Sequence, residues 1–192
     1  KVGRRLLVPL HPAGRPVSRH ELAHVKWSPD RLPKVRYDAR ILLAVEDARI
    51  NMGLENLKMP LVLSPRDRTK VASLAAQDLE DEEVLHFVLR SIACLGTGLE
   101  IDLLEIARGD SEEIAALSAD LIDYVRARLI RGQKAGGGAL ASFETVKRVA
   151  REVARRLRGQ KPIGRQIAQG RHPLAARGSA GQGQPLLHQR GV

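Results

Sequence analysis

Aromatic poverty is the feature that most restricts what this chain can fold into. Two Phe, two Tyr and one Trp are all the rings it has in 192 residues. A core must therefore be assembled from Leu, Ile, Val and Ala, and a hydrophobic fraction of 43% supplies enough of them for one sizeable domain. Aliphatic cores with few rings suit packed helices better than a β-sandwich. The fold class expected is mainly α, with a minimal sheet of one or a few short strands near the N-terminus.

A single cysteine, Cys94, excludes an intramolecular disulfide framework and a cysteine-rich metal knuckle. It lies in the apolar run Ser91-Ile92-Ala93-Cys94-Leu95 and reads as a core thiol. No run reaches the roughly 20 apolar residues of a membrane helix. The basic start Lys1-Val2-Gly3-Arg4-Arg5 lacks a signal-peptide core behind it, so a soluble cytoplasmic protein is expected. Because the first residue is Lys, the chain also reads as a processed or truncated piece of a longer one. The net charge of +10 is segregated: residues 1–40 carry +7, residues 41–130 carry −8 and residues 131–192 carry +11. The middle reads as a soluble helical body between two basic ends.

Turn and capping residues divide the chain further. Arg5 to Leu10 reads as a short edge strand, with Pro9 where no ladder donor is needed. A helix over about 16–27 follows, stopped at Ser28-Pro29-Asp30. Asp38 is placed to cap a second helix to about Met52, closed by Gly53. Helices are expected near 66–79, 81–95 and 99–107. A D-x-x-E box at Asp110 and Glu113 opens a long helix to about Ile130. Gly136-Gly137-Gly138 is a joint, Ser142 opens a basic helix to about Arg158, and the Gly/Gln/Arg/Pro-rich remainder reads as disordered. The expected division is a body over 1–131, a joint and basic helix over 132–158, and a basic tail over 159–192.

His20-Glu21-Leu22-Ala23-His24 is an H-E-x-x-H pattern. On a helix, imidazoles four residues apart share a face and can bind one metal ion. A glutamate beside the first histidine can take the proton of a water that the metal acidifies. Chance alone yields such a pentapeptide in roughly one sequence in a hundred of this composition, so it needs support. Its rival is a capping box, Ser18 to Glu21, which would leave two ordinary histidines.

Support comes from Glu46-Asp47-Ala48-Arg49, on a helix able to return antiparallel to the first. Catalytic zinc sites commonly use three protein ligands and keep one position open. Glu46 shares a face with Leu42 and Ile50, and a carboxylate among core positions needs a partner such as a metal. The alternative for Glu46 is an i,i+3 ion pair with Arg49 on a solvated face. Asp47, about 100° further round the helix, is read as an acceptor orienting a ligand histidine or as the ligand itself. Arg49 would balance the carboxylates or contact substrate.

With Trp27 and Val45 to Ile50, these residues resemble zincin metallopeptidases of the glutamate-ligand type. More narrowly, they resemble bacterial and phage proteins that pair HExxH with a downstream E-D-x-R helix. Those often precede a von Willebrand A-type domain, and some are related to the cobaltochelatase T subunit. The resemblance covers about residues 5–53. It implies a zincin-like fold, Zn2+ held by His20, His24 and Glu46, Glu21 as general base, and a peptide or protein substrate. The D-x-S-x-S motif of a von Willebrand A domain is not in the sequence. An edge strand at 5–10 would pair with extended peptide, and Tyr37 is either an oxyanion donor or a core residue.

Zinc-dependent peptide hydrolysis is thus the leading expectation. One alternative is a catalytically silent, zinc-stabilised subunit that partners an ATPase-linked assembly. The other is a helical nucleic-acid-binding protein using the basic region after 142, against which stands the shortage of aromatics for base stacking. His11 and His86 are read as a loop and a core-edge residue, and His172 and His188 as tail residues.

Overall fold

The structure is a computed structural model that describes residues 15–160, with side chains from Ser18 onward. The described residues form seven helices and no strand: α1 (Arg15–Trp27), α2 (Ala39–Asn56), α3 (Pro65–Glu80), α4 (Val84–Ala93), α5 (Glu100–Asp110), α6 (Glu112–Gly136) and α7 (Phe143–Arg158). The described chain is mainly helical, as its aliphatic composition favours. The strand expected at Arg5 to Leu10 lies outside the described residues.

α2 is the axis of the molecule. Asp38 accepts from the Arg40 backbone N–H and caps it, and its residues from Ile41 to Leu54 are buried almost all round. A helix buried on nearly every side belongs in the middle of a bundle, and α2 packs against α1, α4 and α7. It does not stop at Met52 but runs one turn further, to Asn56. Gly53 is inside it because a Cβ there would sit 2.4 Å from Leu140 Cγ. The glycine is needed for close approach and not as a terminator.

The boundaries of α6 also differ from expectation. Its cap is Ser111, whose Oγ accepts from Ile114 N–H, while Asp110 ends α5. It extends past Ile130 to Gly136, where Gly137 takes the left-handed conformation at φ 63° that closes the helix. Ser142 caps α7 through the Thr145 N–H. Val146, Val149, Ala150, Val153, Ala154 and Leu157 make one face of α7 and are buried in the same core as Ile41, Val45 and Ala48 of α2. Among the described residues, the basic helix is therefore part of the body that the glycine-rich turn precedes.

α1 is held differently. A separate small cluster of Ala23, Ile50 and Leu54, with Trp27 and Leu140 against it, seats α1 on α2. The rest of that contact is polar, and it carries the candidate site. No helix among the described residues is long and apolar enough to cross a membrane.

Candidate metal centre

α1 begins at Arg15, so Ser18 lies inside the helix and not ahead of it. The Ser18–Glu21 capping box therefore lacks its cap position, and Glu21 is exposed. His20 and His24, one turn apart on α1, face Asp47 on α2. Their Nε2 atoms are 3.0 Å apart, with ring centroids at 4.6 Å and planes at 74°. Asp47 Oδ1 is 3.1 Å from His24 Nε2 and 3.9 Å from His20 Nε2. His20, His24 and Asp47 thus each offer one ligand atom to a common point. Side-chain exposure rises from 14% at His20 through 23% at His24 to 38% at Asp47, so the group opens to solvent on the Asp47 side.

The outer nitrogens have their own partners. His20 Nδ1 is 2.8 Å from Asn51 Oδ1, and Asn51 Nδ2 donates to the Ala93 carbonyl at 2.9 Å. His24 Nδ1 is 3.0 Å from Ser28 Oγ, and the Ser28 hydroxyl donates to Glu46 Oε1 at 2.5 Å. Burial, then the neighbouring His24, push the His20 imidazole below its ordinary pKa. Asp47, the Asn51 hydrogen bond and Glu21 pull it the other way. The neutral imidazole thereby favoured is the form that binds a metal.

Glu46 is not among the converging groups. Only 1% exposed, it is gripped by Arg49, whose Nε donates to Oε2 at 2.8 Å and Nη2 to Oε1 at 2.5 Å. The carboxylate that faces the two histidines is Asp47, the next residue. An i,i+3 ion pair between Glu46 and Arg49 does form, but it is buried where a solvated one was the alternative. Arg49, 3% exposed, cannot reach substrate. Its remaining donors go to the Trp27 carbonyl at 3.1 Å and the Ala141 carbonyl at 3.2 Å, tying the end of α1 and the α6–α7 turn to α2. Tyr37 packs against the main core, its buried hydroxyl pushed up in pKa by desolvation and opposed by Arg151 of α7.

No protein-family model matches this chain, and no curated protein or solved structure does so either.

A second group, Asp78, Glu83 and His86, also brings possible ligand atoms together. There His86 Nδ1 is bound to Glu83 and Nε2 to Arg40, while Arg90 Nε donates to Asp78 at 2.8 Å. Its ligand atoms are already taken by cations and by one another. A cavity of about 270 Å³ bounded by Glu55, Glu100, Arg126 and Gln133 includes none of His20, His24 and Asp47 in its lining.

Ser28 and Asn51 are the residues that sequence reasoning missed. Ser28 reads as a helix stop and Asn51 as an unremarked polar residue of α2. The available signal was spacing: His20 and His24 are four apart on α1 with Ser28 four further on, just past its end, and Asp47 and Asn51 are four apart on α2.

Proposed function

We propose that this chain is a zinc-dependent hydrolase of peptide bonds, with the metal held by His20, His24 and Asp47 and with Glu21 as general base. The observation that carries this reading is the convergence of two imidazole Nε2 atoms and one carboxylate oxygen. Tetrahedral zinc with bonds near 2.0–2.1 Å separates its ligand atoms by roughly 3.3 Å. The distances of 3.0, 3.1 and 3.9 Å bracket that value. Two neutral imidazoles and one carboxylate are also a donor set that zinc accepts.

Zinc bound there would supply Lewis acidity and lower the pKa of a coordinated water. The protein residues do the rest. Glu21, exposed and next to His20, is free to swing toward the solvent-facing side of the trio and accept a proton. Leu43, one turn before Asp47 on α2 and 44% exposed, offers an apolar surface to a substrate side chain. The H-E-x-x-H spacing supports peptide-bond hydrolysis over other metal-assisted hydrolyses.

A second reading is favoured by the separateness of the apolar cluster that seats α1. With Ala23, Ile50, Leu54, Trp27 and Leu140 forming that contact among the described residues, a metal joining α1 to α2 would be a structural tie in a silent subunit. Purified protein should hold one zinc per chain by elemental analysis on either reading. Glu21→Gln should keep the metal and lose cleavage of a casein or peptide-library substrate. A wild-type protein with zinc and no turnover would favour the structural tie, and protein with no zinc would remove both.

A further inference from the structure

We propose that Ser28 is a positioning residue that locks His24 into the tautomer with Nδ1 protonated and Nε2 bare. The lock is set from the buried Glu46–Arg49 pair. The proposal rests on the reading of His20, His24 and Asp47 as metal ligands, and explains why the buried carboxylate beside Asp47 is not itself one.

The direction of each proton follows from the chain of partners. A guanidinium only donates, so both Glu46 oxygens accept from Arg49, at 2.5 and 2.8 Å. A carboxylate clamped by that fork is an acceptor, so the hydrogen between Glu46 Oε1 and Ser28 Oγ belongs to the serine, 2.5 Å away. Ser28 has one hydroxyl hydrogen and has committed it. Toward His24 Nδ1, 3.0 Å off, its oxygen can only accept. Nδ1 must therefore carry the imidazole proton, and Nε2 is left with its lone pair aimed at His20 Nε2 and Asp47.

A parallel argument fixes His20. The Ala93 carbonyl only accepts, so the Asn51 amide nitrogen faces it and Oδ1 faces His20 Nδ1. Both rings are then wired with bare Nε2 atoms 3.0 Å apart. Two lone pairs and a carboxylate oxygen at that spacing repel one another, and a cation between them relieves the repulsion. Arg49 also anchors Trp27 and Ala141, so the lock draws its rigidity from three parts of the fold.

Outer partners of ligand histidines commonly change metal affinity by about 10- to 100-fold. Ser28→Ala should weaken zinc binding by that factor in a competition titration against a chromophoric chelator, and Ser28→Thr, which keeps the hydroxyl, should restore it. Circular dichroism melting should show both variants folded. The second readout is long-range nitrogen–proton NMR on metal-free protein. Wild-type His24 should keep its proton on Nδ1 throughout, and Ser28→Ala should show a mixture of protonated and bare Nδ1. Zinc affinity in Ser28→Ala within two-fold of wild type, or a wild-type His24 bare at Nδ1, would overturn the lock. If the wild type binds no zinc, the metal reading fails by itself, and the tautomer measurement still decides the lock.

Discussion

The two clusters of histidine and carboxylate differ in what their ligand atoms are doing. At Asp78, Glu83 and His86, every group is spoken for: Arg40 and Glu83 take the two ring nitrogens and Arg90 takes Asp78. At His20, His24 and Asp47, neutral acceptors occupy the outer nitrogens, and the inner atoms face one another. The cation that balances the buried acid there, Arg49, has been drawn one residue aside to Glu46. Proximity brings both groups together; the second sets two imidazole nitrogens and a carboxylate oxygen against one another. Where the arginines go is what separates the Asp78 ion-pair knot from the group proposed to hold a metal.

That contrast can be broken by mutation. Structural zinc contributes about 10–16 kcal/mol across its ligands, so losing one should cost at least about 100-fold in affinity. His24→Ala and Asp47→Ala should both lose stoichiometric zinc in equilibrium dialysis, whereas His86→Ala should retain it. Zinc lost from His86→Ala, or kept by Asp47→Ala, would reverse the assignment. The arginines should differ as sharply in stability. Removing one partner of a buried pair costs about 3–5 kcal/mol, and Arg49→Ala should show that loss in urea unfolding. Arg40→Ala, at a pair whose arginine side chain is 42% exposed, should stay within about 1 kcal/mol of wild type.

Cys94 holds its proton more tightly than an ordinary thiol. Burial pushes its thiol up to about 11, with the acids Glu100 and Asp47 adding to the shift and Arg90 opposing it. A ligand thiol would instead be held as thiolate. At pH 8 the thiolate fraction should be about 100-fold below that of a thiol at the ordinary 9.0. Alkylation by iodoacetamide should be slowed to match and be indifferent to added zinc. The sign for stability follows: the native thiol resists ionising, so stability is unaffected below pH 9 and falls as pH rises from 9 towards 11. The smallest effect expected is His86→Ala on stability, within about 1 kcal/mol because its contact with Glu83 is exposed.

Much of the helical plan was legible because the signals are local. Asp38 and Ser142 are caps whose geometry depends on three or four neighbouring residues, and both cap their helices. Apart from the ends of α6, one residue off at Ser111 and past Ile130 at Gly136, what failed was a boundary set at a distance. Gly53 looks like a terminator until Leu140, far away in sequence, is packed against it. The same holds for the site. The histidine pair could be read from spacing within one helix. The choice between Glu46 and Asp47 could not, because it depends on how α2 is rotated against α1 and on Arg49 meeting Trp27 and Ala141. Ser28 shows this most plainly: its role exists only once Glu46 of another helix stands 2.5 Å away.

His20, His24 and Asp47 are proposed to share one metal ion. Anomalous diffraction at the zinc edge, from crystals of zinc-loaded protein, tests it directly. The predicted result is one strong peak within about 2.0–2.2 Å of His20 Nε2, His24 Nε2 and an Asp47 oxygen, with Glu46 still on Arg49. A peak at Glu46 or at Asp78, Glu83 and His86 instead, or no peak between the two histidines, would contradict it.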